Sequence, residues 1–330
     1  MRIDAHQHFW RYDPGEFPWL DDTMAAQRRD FLPANLAPIL ARRHFRCSIA
    51  VQARMNLAET DWLLQLAREN PRRIRGVVGW VPLSEPARAA AELDRHLASR
   101  ERNNDHGLVG VRHVVQGQPP GFLDAPDFNA GIREVTARGL AYDLLIHANQ
   151  LDEAIRFVDR HPAQTFVLDH IGKPPIAPDE PPPEAWAVSI CKLACRENVS
   201  CKFSALTTEV RAPGHEWTPK LLRPYFDTVL TAFGPRRLMF GSDWPVCLAG
   251  TTYERWHRFV ITCTTPLSSH ERASIFGETA IRAYKLPVSI MELRELKAEF
   301  QTEKNELQTL KSKIQTLKSE LQTLASTPET

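Results

Sequence analysis

The chain has 330 residues, 43% of them hydrophobic and 25% charged, enough for one large domain with a sizeable core. A formal net charge of +1 removes the broad electrostatic pull that a nucleic-acid or anionic-membrane partner needs, and no run of about 18 apolar residues offers a bilayer span. The six cysteines (Cys47, Cys191, Cys195, Cys201, Cys247 and Cys263) are too scattered for a zinc ribbon or disulfide framework. No basic, apolar leader opens the chain, so a reduced cytoplasmic protein is expected.

In chain order, β-rich runs fall at 2–5, 47–53, 74–80, 108–114, 141–146, 165–168, 199–203 and 237–240. Helical patterns lie between them at 59–69, 87–99, 128–138, 151–160, 184–197 and 221–233. Strands alternating with helices predict parallel βα units. Eight such units over about 285 residues match a TIM-like (β/α)8 barrel. An open doubly wound sheet is the rival, but no Gly-x-Gly-x-x-Gly follows any strand.

The last segment changes character. Leu293, Leu296, Phe300, Leu307, Leu310, Ile314, Leu317, Leu321 and Leu324 recur at spacings of three and four, interrupted at Glu303. Glu299 with Lys304, and Glu306 with Lys311, are favourable pairs across a parallel coiled coil. The sequence therefore predicts a barrel over 1–287 and a coiled-coil tail over 288–330, with homo-oligomerisation through 293–324. A helix lying on the barrel is the alternative.

Barrel chemistry belongs at the C-terminal ends of the strands. His6 and His8 end the first strand, and side chains two apart on a strand share a face, so both imidazoles can reach one metal ion. His147 ends the fifth strand, His170 the sixth and Asp243 the eighth. Three or four of these groups can bind one divalent cation and leave a position for water. Any one histidine at a strand end is more often structural than a ligand, Asp169 can cap a turn, and Gly241-Ser242-Asp243 can be an ordinary turn. Their shared location at one end of separate strands favours a site.

Four segments then carry a resemblance: Asp4-Ala5-His6-Gln7-His8-Phe9-Trp10, Gly110-Val111-Arg112-His113, Leu168-Asp169-His170-Ile171-Gly172-Lys173-Pro174 and Met239-Phe240-Gly241-Ser242-Asp243-Trp244-Pro245. From about Met1 to Pro287 the chain resembles the amidohydrolase superfamily, most closely the amidohydrolase-related branch that holds sugar lactonases and 2-pyrone-4,6-dicarboxylate lactonase. The resemblance implies a distorted (β/α)8 barrel that hydrolyses a cyclic ester. It implies His6, His8, His147 and Asp243 as metal ligands, Asp243 as the base that activates water, and His170 as a catalytic group that positions water or polarises the substrate. No strand-four lysine suited to carbamylation is present, which disfavours a bridged two-metal site. One divalent ion, zinc first, is expected, with a metal-free site as the alternative.

For substrate contacts the sequence offers Arg112, His113, Gln52, Lys173, Lys202 and Trp244, all near strand ends. So many polar groups suit a polyhydroxylated lactone. A dicarboxylated lactone needs several arginines, and only Arg112, Arg54 and Arg211 are placed for that. The expected function is a lactonase acting on a small sugar-acid lactone. A metal-dependent decarboxylase on the same barrel and an inert barrel carried by a coiled-coil scaffold are the alternatives.

Overall fold

The computed structural model describes residues 1–103, 107–178, 180–210 and 217–287, and tail positions 308, 309, 312, 313, 315 and 316. Eight parallel strands run in the order β1 to β8: β1 Ile3–Gln7, β2 Cys47–Val51, β3 Ile74–Gly79, β4 Leu108–Val114, β5 Ala141–Leu145, β6 Phe166–Leu168, β7 Val199–Phe203 and β8 Leu238–Phe240. The sheet nearly closes on itself. Gln7 bridges Trp244 in parallel, and His8 N–H donates to Trp244 O at 2.7 Å. This is the (β/α)8 barrel that the alternating pattern predicts.

The surrounding helices include α1 Pro33–Arg42, α2 Leu57–Glu69, α3 Pro86–Asn103, α4 Pro126–Ala137, α5 Leu151–Arg160, α6 Glu184–Ala194, α7 Pro219–Phe233 and α8 Tyr253–Thr264. Helices α1 and α8 are additions to the sequence reading. Local chemistry sets their limits. On α7, Thr218 Oγ1 accepts from Leu221 N–H at 3.2 Å, Pro219 opens the helix, and Gly234 at φ +67° ends it. On α5, Leu151, Ala154, Ile155 and Val158 recur on one face and are buried, the spacing of an amphipathic helix on a core.

Parallel strands sandwiched by helices are buried on both faces, and every residue of β1, β2, β3 and β5 is buried. The larger apolar cluster includes Val111, Tyr142, Leu144, Phe203 and Phe240, with helix residues packed on them. A smaller cluster joins Ile3, Cys47, Val109 and Ala141, at the N-terminal ends of strands, to Ala280, Ala283, Tyr284 and Leu286. The C-terminal segment of the barrel unit therefore packs against the end opposite the expected site.

The chain divides into two units, Met1–Leu286 and Pro287–Thr330. In the second, the described positions Gln308, Thr309, Ser312, Lys313, Gln315 and Thr316 are helical and exposed. The apolar stripe expected to drive association, and Arg211 in the barrel unit, lie outside the described residues. No helix among the described residues is long and apolar enough to cross a membrane.

Candidate active site

Strand β1 and the turn after β8 build the centre. The pairing of β1 with β2 shifts register between Asp4 and Gln7, around His6, and His8 follows the end of the strand. Gly241 allows β8 to come close. A Cβ there would sit 2.8 Å from His6 Cβ, so any larger residue would push the two strands apart. Asp4 Oδ1 accepts from Ser242 N–H at 2.9 Å and pins the turn, and Asp243 N–H donates to His6 O at 2.8 Å. Asp243 is thereby held at φ +56°, and His170, in the turn after β6, lies at φ +53°, both left-handed conformations.

Three donor atoms converge. His6 Nε2 lies 3.2 Å from His8 Nε2, His8 Nε2 lies 3.2 Å from Asp243 Oδ1, and His6 Nε2 lies 3.6 Å from the same oxygen. His8 Nδ1 is 2.8 Å from Val51 O. A carbonyl can only accept, so Nδ1 carries the proton and the Nε2 lone pair is left for a ligand bond. Two imine nitrogens and a carboxylate oxygen this close repel one another unless a proton or cation lies among them. Donors about 2.1 Å from a tetrahedral cation are separated by about 3.4 Å, which the observed spacings match. The residues present therefore fit one divalent cation.

A second group of possible donors, His6 with Asp169 and His170, has a different character. The Asp169 carboxylate is already engaged by two cations. Arg112 Nη1 donates to Oδ2 at 2.9 Å, and Lys202 Nζ lies 2.9 Å from Oδ1. Burial works to raise the Asp169 carboxyl, but Lys202, His6 and Arg112 outweigh it and hold it well below the usual carboxylate range. Asp243 follows the same logic. Burial opposes ionisation, and His170, the His8 hydrogen bond and His6 overcome it, so the carboxyl lies well below its ordinary value. Burial pushes His170 down to about 3, so the ring is neutral near pH 7, with Nδ1 2.8 Å from Ser204 Oγ.

Above these groups opens a cavity of about 1010 Å³. His8, Arg112, His170, Lys173 and Asp243 line it, together with residues from the loops after β1, β2 and β7. Arg112 is fixed as a fork, since Nη1 binds Asp169 and Nη2 binds Gln52 O, while Gln52 Nε2 donates to Arg112 O at 3.2 Å. Gln52 is thus a buried brace for Arg112 and not part of the wall. Lys173 Nζ pairs with Glu209 Oε1 at 3.4 Å, and Arg54 pairs with Glu16 and leans on Phe17.

The other sequence expectations lie elsewhere. His147 opens the short turn Ala148–Gln150, where its N–H donates to Gln150 Oε1 at 3.0 Å, and its ring is in neither converging donor group among the described residues. His113 points away from the barrel interior, stacked on Phe122 at 5.2 Å with Trp80 Nε1 donating to it at 3.3 Å. It follows Arg112 on β4, and successive strand residues face opposite sides. Trp244 is buried against Phe31 at 5.1 Å and does not line the cavity. Lys202 is fully buried below the cavity floor, with Asp143, Asp169 and His6 as neighbours. Asp143, Ser204 and Tyr284 were not singled out by sequence reasoning. The first two sit in phase with inward residues of their strands, a signal that alternation alone could have supplied.

The family model described as amidohydrolase matches residues 3–286. L-fucono-1,5-lactonase of Burkholderia multivorans is 38% identical over 306 residues, covering 87% of this chain and 97% of that protein. L-fucono-1,5-lactonase of Burkholderia ambifaria is 36% identical over 293 residues, covering 87% and 96%. A crystal structure of an amidohydrolase from Burkholderia multivorans with bound zinc has a TM-score of 0.80 at 38% identity, over 87% of this chain and all of that one.

Proposed function

This chain belongs to the amidohydrolase family, and we propose that its barrel is a lactonase that opens a small sugar-acid lactone of the L-fucono-1,5-lactone type. The observation that carries the reading is the convergence of His6 Nε2, His8 Nε2 and Asp243 Oδ1 within 3.6 Å of one another under a cavity whose walls mix apolar side chains with Arg54, Arg112, Lys173 and Glu209. The sequence likeness to two L-fucono-1,5-lactonases supports the substrate class. His6, His8 and Asp243 would hold one divalent cation, with zinc favoured by its presence in the similar amidohydrolase structure. Such a cation polarises a carbonyl and lowers the pKa of water.

The chain's own groups then divide the work. Asp243, kept ionised by its surroundings, takes the proton as water oxygen bonds to the lactone carbonyl carbon. The ring C–O bond breaks, and Asp243 returns the proton to the departing ring oxygen, leaving a hydroxy acid that ionises. Arg112 Nη1 lies 3.4 Å from His6 Nε2, where its charge stabilises the oxygen that turns negative. Neutral His170 orients the water or the carbonyl without competing for the proton. Lys173 and Glu209 offer donor and acceptor side by side, which suits sugar hydroxyls.

A pH-indicator assay over a panel of sugar-acid lactones, with and without chelator, tests this reading. Proton release on the L-fucono-1,5-lactone group, lost on chelation, is expected. No release on any lactone, or carbon dioxide from a carboxylated substrate instead, overturns it.

A further inference from the structure

Among the described residues, four Lys and Arg side chains line the cavity, and three of them already hold a carboxylate. Arg112 Nη1 donates to Asp169 Oδ2 at 2.9 Å, and Lys173 Nζ pairs with Glu209 Oε1 at 3.4 Å. Arg54 pairs with Glu16 and lies with Nε 3.5 Å from Glu59 Oε1. The fourth, Arg255, lies over the Trp217 ring at 4.4 Å and donates to Trp217 O at 3.0 Å.

The Lys173 pair belongs to the same turn as a catalytic group. Lys173 follows His170 after β6, its N–H donates to His170 O at 2.9 Å, and its charge reaches the His170 ring. Backbone contacts build the pair. Glu209 closes the short turn after β7, with its N–H donating to Leu206 O at 3.1 Å. Ile176 bridges Val210 in parallel, and Ile176 N–H donates to Glu209 O at 3.3 Å, so the two loops are joined beside the pair. The side chains of Lys173 and Glu209 are only 18% and 10% exposed, so solvent screens them less than it does a surface pair.

A carboxylate on the substrate meets a cost at this wall. To reach Lys173 it must displace Glu209, which then stays in the wall without its counter-charge. To keep clear of Lys173 it must share the cavity with the like charges of Glu209 and Asp243. A hydroxyl meets neither cost. It donates to Glu209 and accepts from Lys173 while the pair stays intact.

We propose that Glu209 is a specificity-determining residue: by holding Lys173 it turns carboxylated lactones away and leaves the cavity to neutral, polyhydroxylated ones. The inference rests on the lactonase reading above and narrows its substrate class to aldonic lactones, with aldaric lactones excluded.

The test uses the full chain and the 1,4-lactones of galactonic and galactaric acid, which differ only in a terminal hydroxymethyl against a carboxylate. The wild type is expected to favour the neutral lactone by about 100-fold in kcat/KM. Glu209→Gln keeps an acceptor of the same length and releases Lys173. It should lower kcat/KM for the neutral lactone by about threefold and raise it for the carboxylated one by about 10- to 100-fold, a crossed change that damage to the fold does not produce. Adding Lys173→Met should abolish the gain. A wild type that opens both lactones equally well overturns the inference while leaving the lactonase reading intact. A folded Glu209→Gln without the gain overturns it too, as does a gain that survives Lys173→Met. In a chain that opens neither lactone, calorimetric binding of galactarate and galactonate carries the test. Galactarate gaining over galactonate in Glu209→Gln, and losing that gain with Lys173→Met, supports the inference and sinks only the lactonase reading. An unchanged ratio overturns both.

Discussion

Replacing Asp243 by Asn removes one charge and one proton acceptor while keeping the shape of the side chain. The backbone should tolerate the change. Asp243 sits at φ +56°, a conformation that Asn accepts, and its N–H bond to His6 O at 2.8 Å does not involve the side chain. The lost acceptor alone predicts a fall in kcat/KM of about 10²- to 10⁴-fold, or about 3–5 kcal/mol of transition-state stabilisation. The carboxylate also lies 3.2 Å from His8 Nε2 and 3.6 Å from His6 Nε2, so zinc binding weakens in the same variant. Asp243 is held well below the ordinary carboxylate range, so the loss is the same at pH 6 and pH 8. Asp243→Ala loses the same chemistry and adds about 1–2 kcal/mol of left-handed strain, which a lower melting midpoint reveals. Initial rates of proton release on the best lactone, at saturating zinc, measure the effect. An Asn variant within tenfold of wild type refutes the role of Asp243 as base.

Other outcomes follow from the same structure. Burial raises the Glu59 carboxyl from 4.5 to about 7, against the bonds it accepts from Ala53 and Arg54 N–H. The folded state binds the Glu59 proton more tightly than the unfolded one, so its contribution is fully present below pH 4.5 and declines as pH rises towards 7. Urea unfolding at pH 4.5 and 7.5 should move in favour of Glu59→Gln by up to roughly 3 kcal/mol, and a constant difference contradicts the assignment. Removal of the residues after Pro287 should lower the oligomer size in sedimentation while the barrel still melts cooperatively, and an unchanged size contradicts association through 293–324.

The barrel was legible because its elements are local. Each parallel strand is a short β-rich run, each helix carries its own stripe, and their alternation leaves few topologies. His6 and His8 were legible for the same reason, since period two on a strand is a local rule. That rule also separates Arg112 from His113, and applying it would have turned His113 away from the cavity in advance. The rest depends on atoms brought together from distant strands. Asp169 reads as a turn cap in sequence, yet its partners come from β1, β4 and β7. Lys202 has the right phase for the interior but sits one layer too deep for the cavity. His147 and Trp244 follow the ends of their strands, where the chain has already turned and the phase no longer predicts direction.

Water attack at the lactone carbonyl is the central claim, and the label in the product tests it most directly. The reaction is run in ¹⁸O-enriched water, and the hydroxy acid is analysed by mass spectrometry after a single turnover. One ¹⁸O in the carboxylate and none in the released hydroxyl is the expected result. Label in the hydroxyl, or a product that has lost carbon dioxide, contradicts the account.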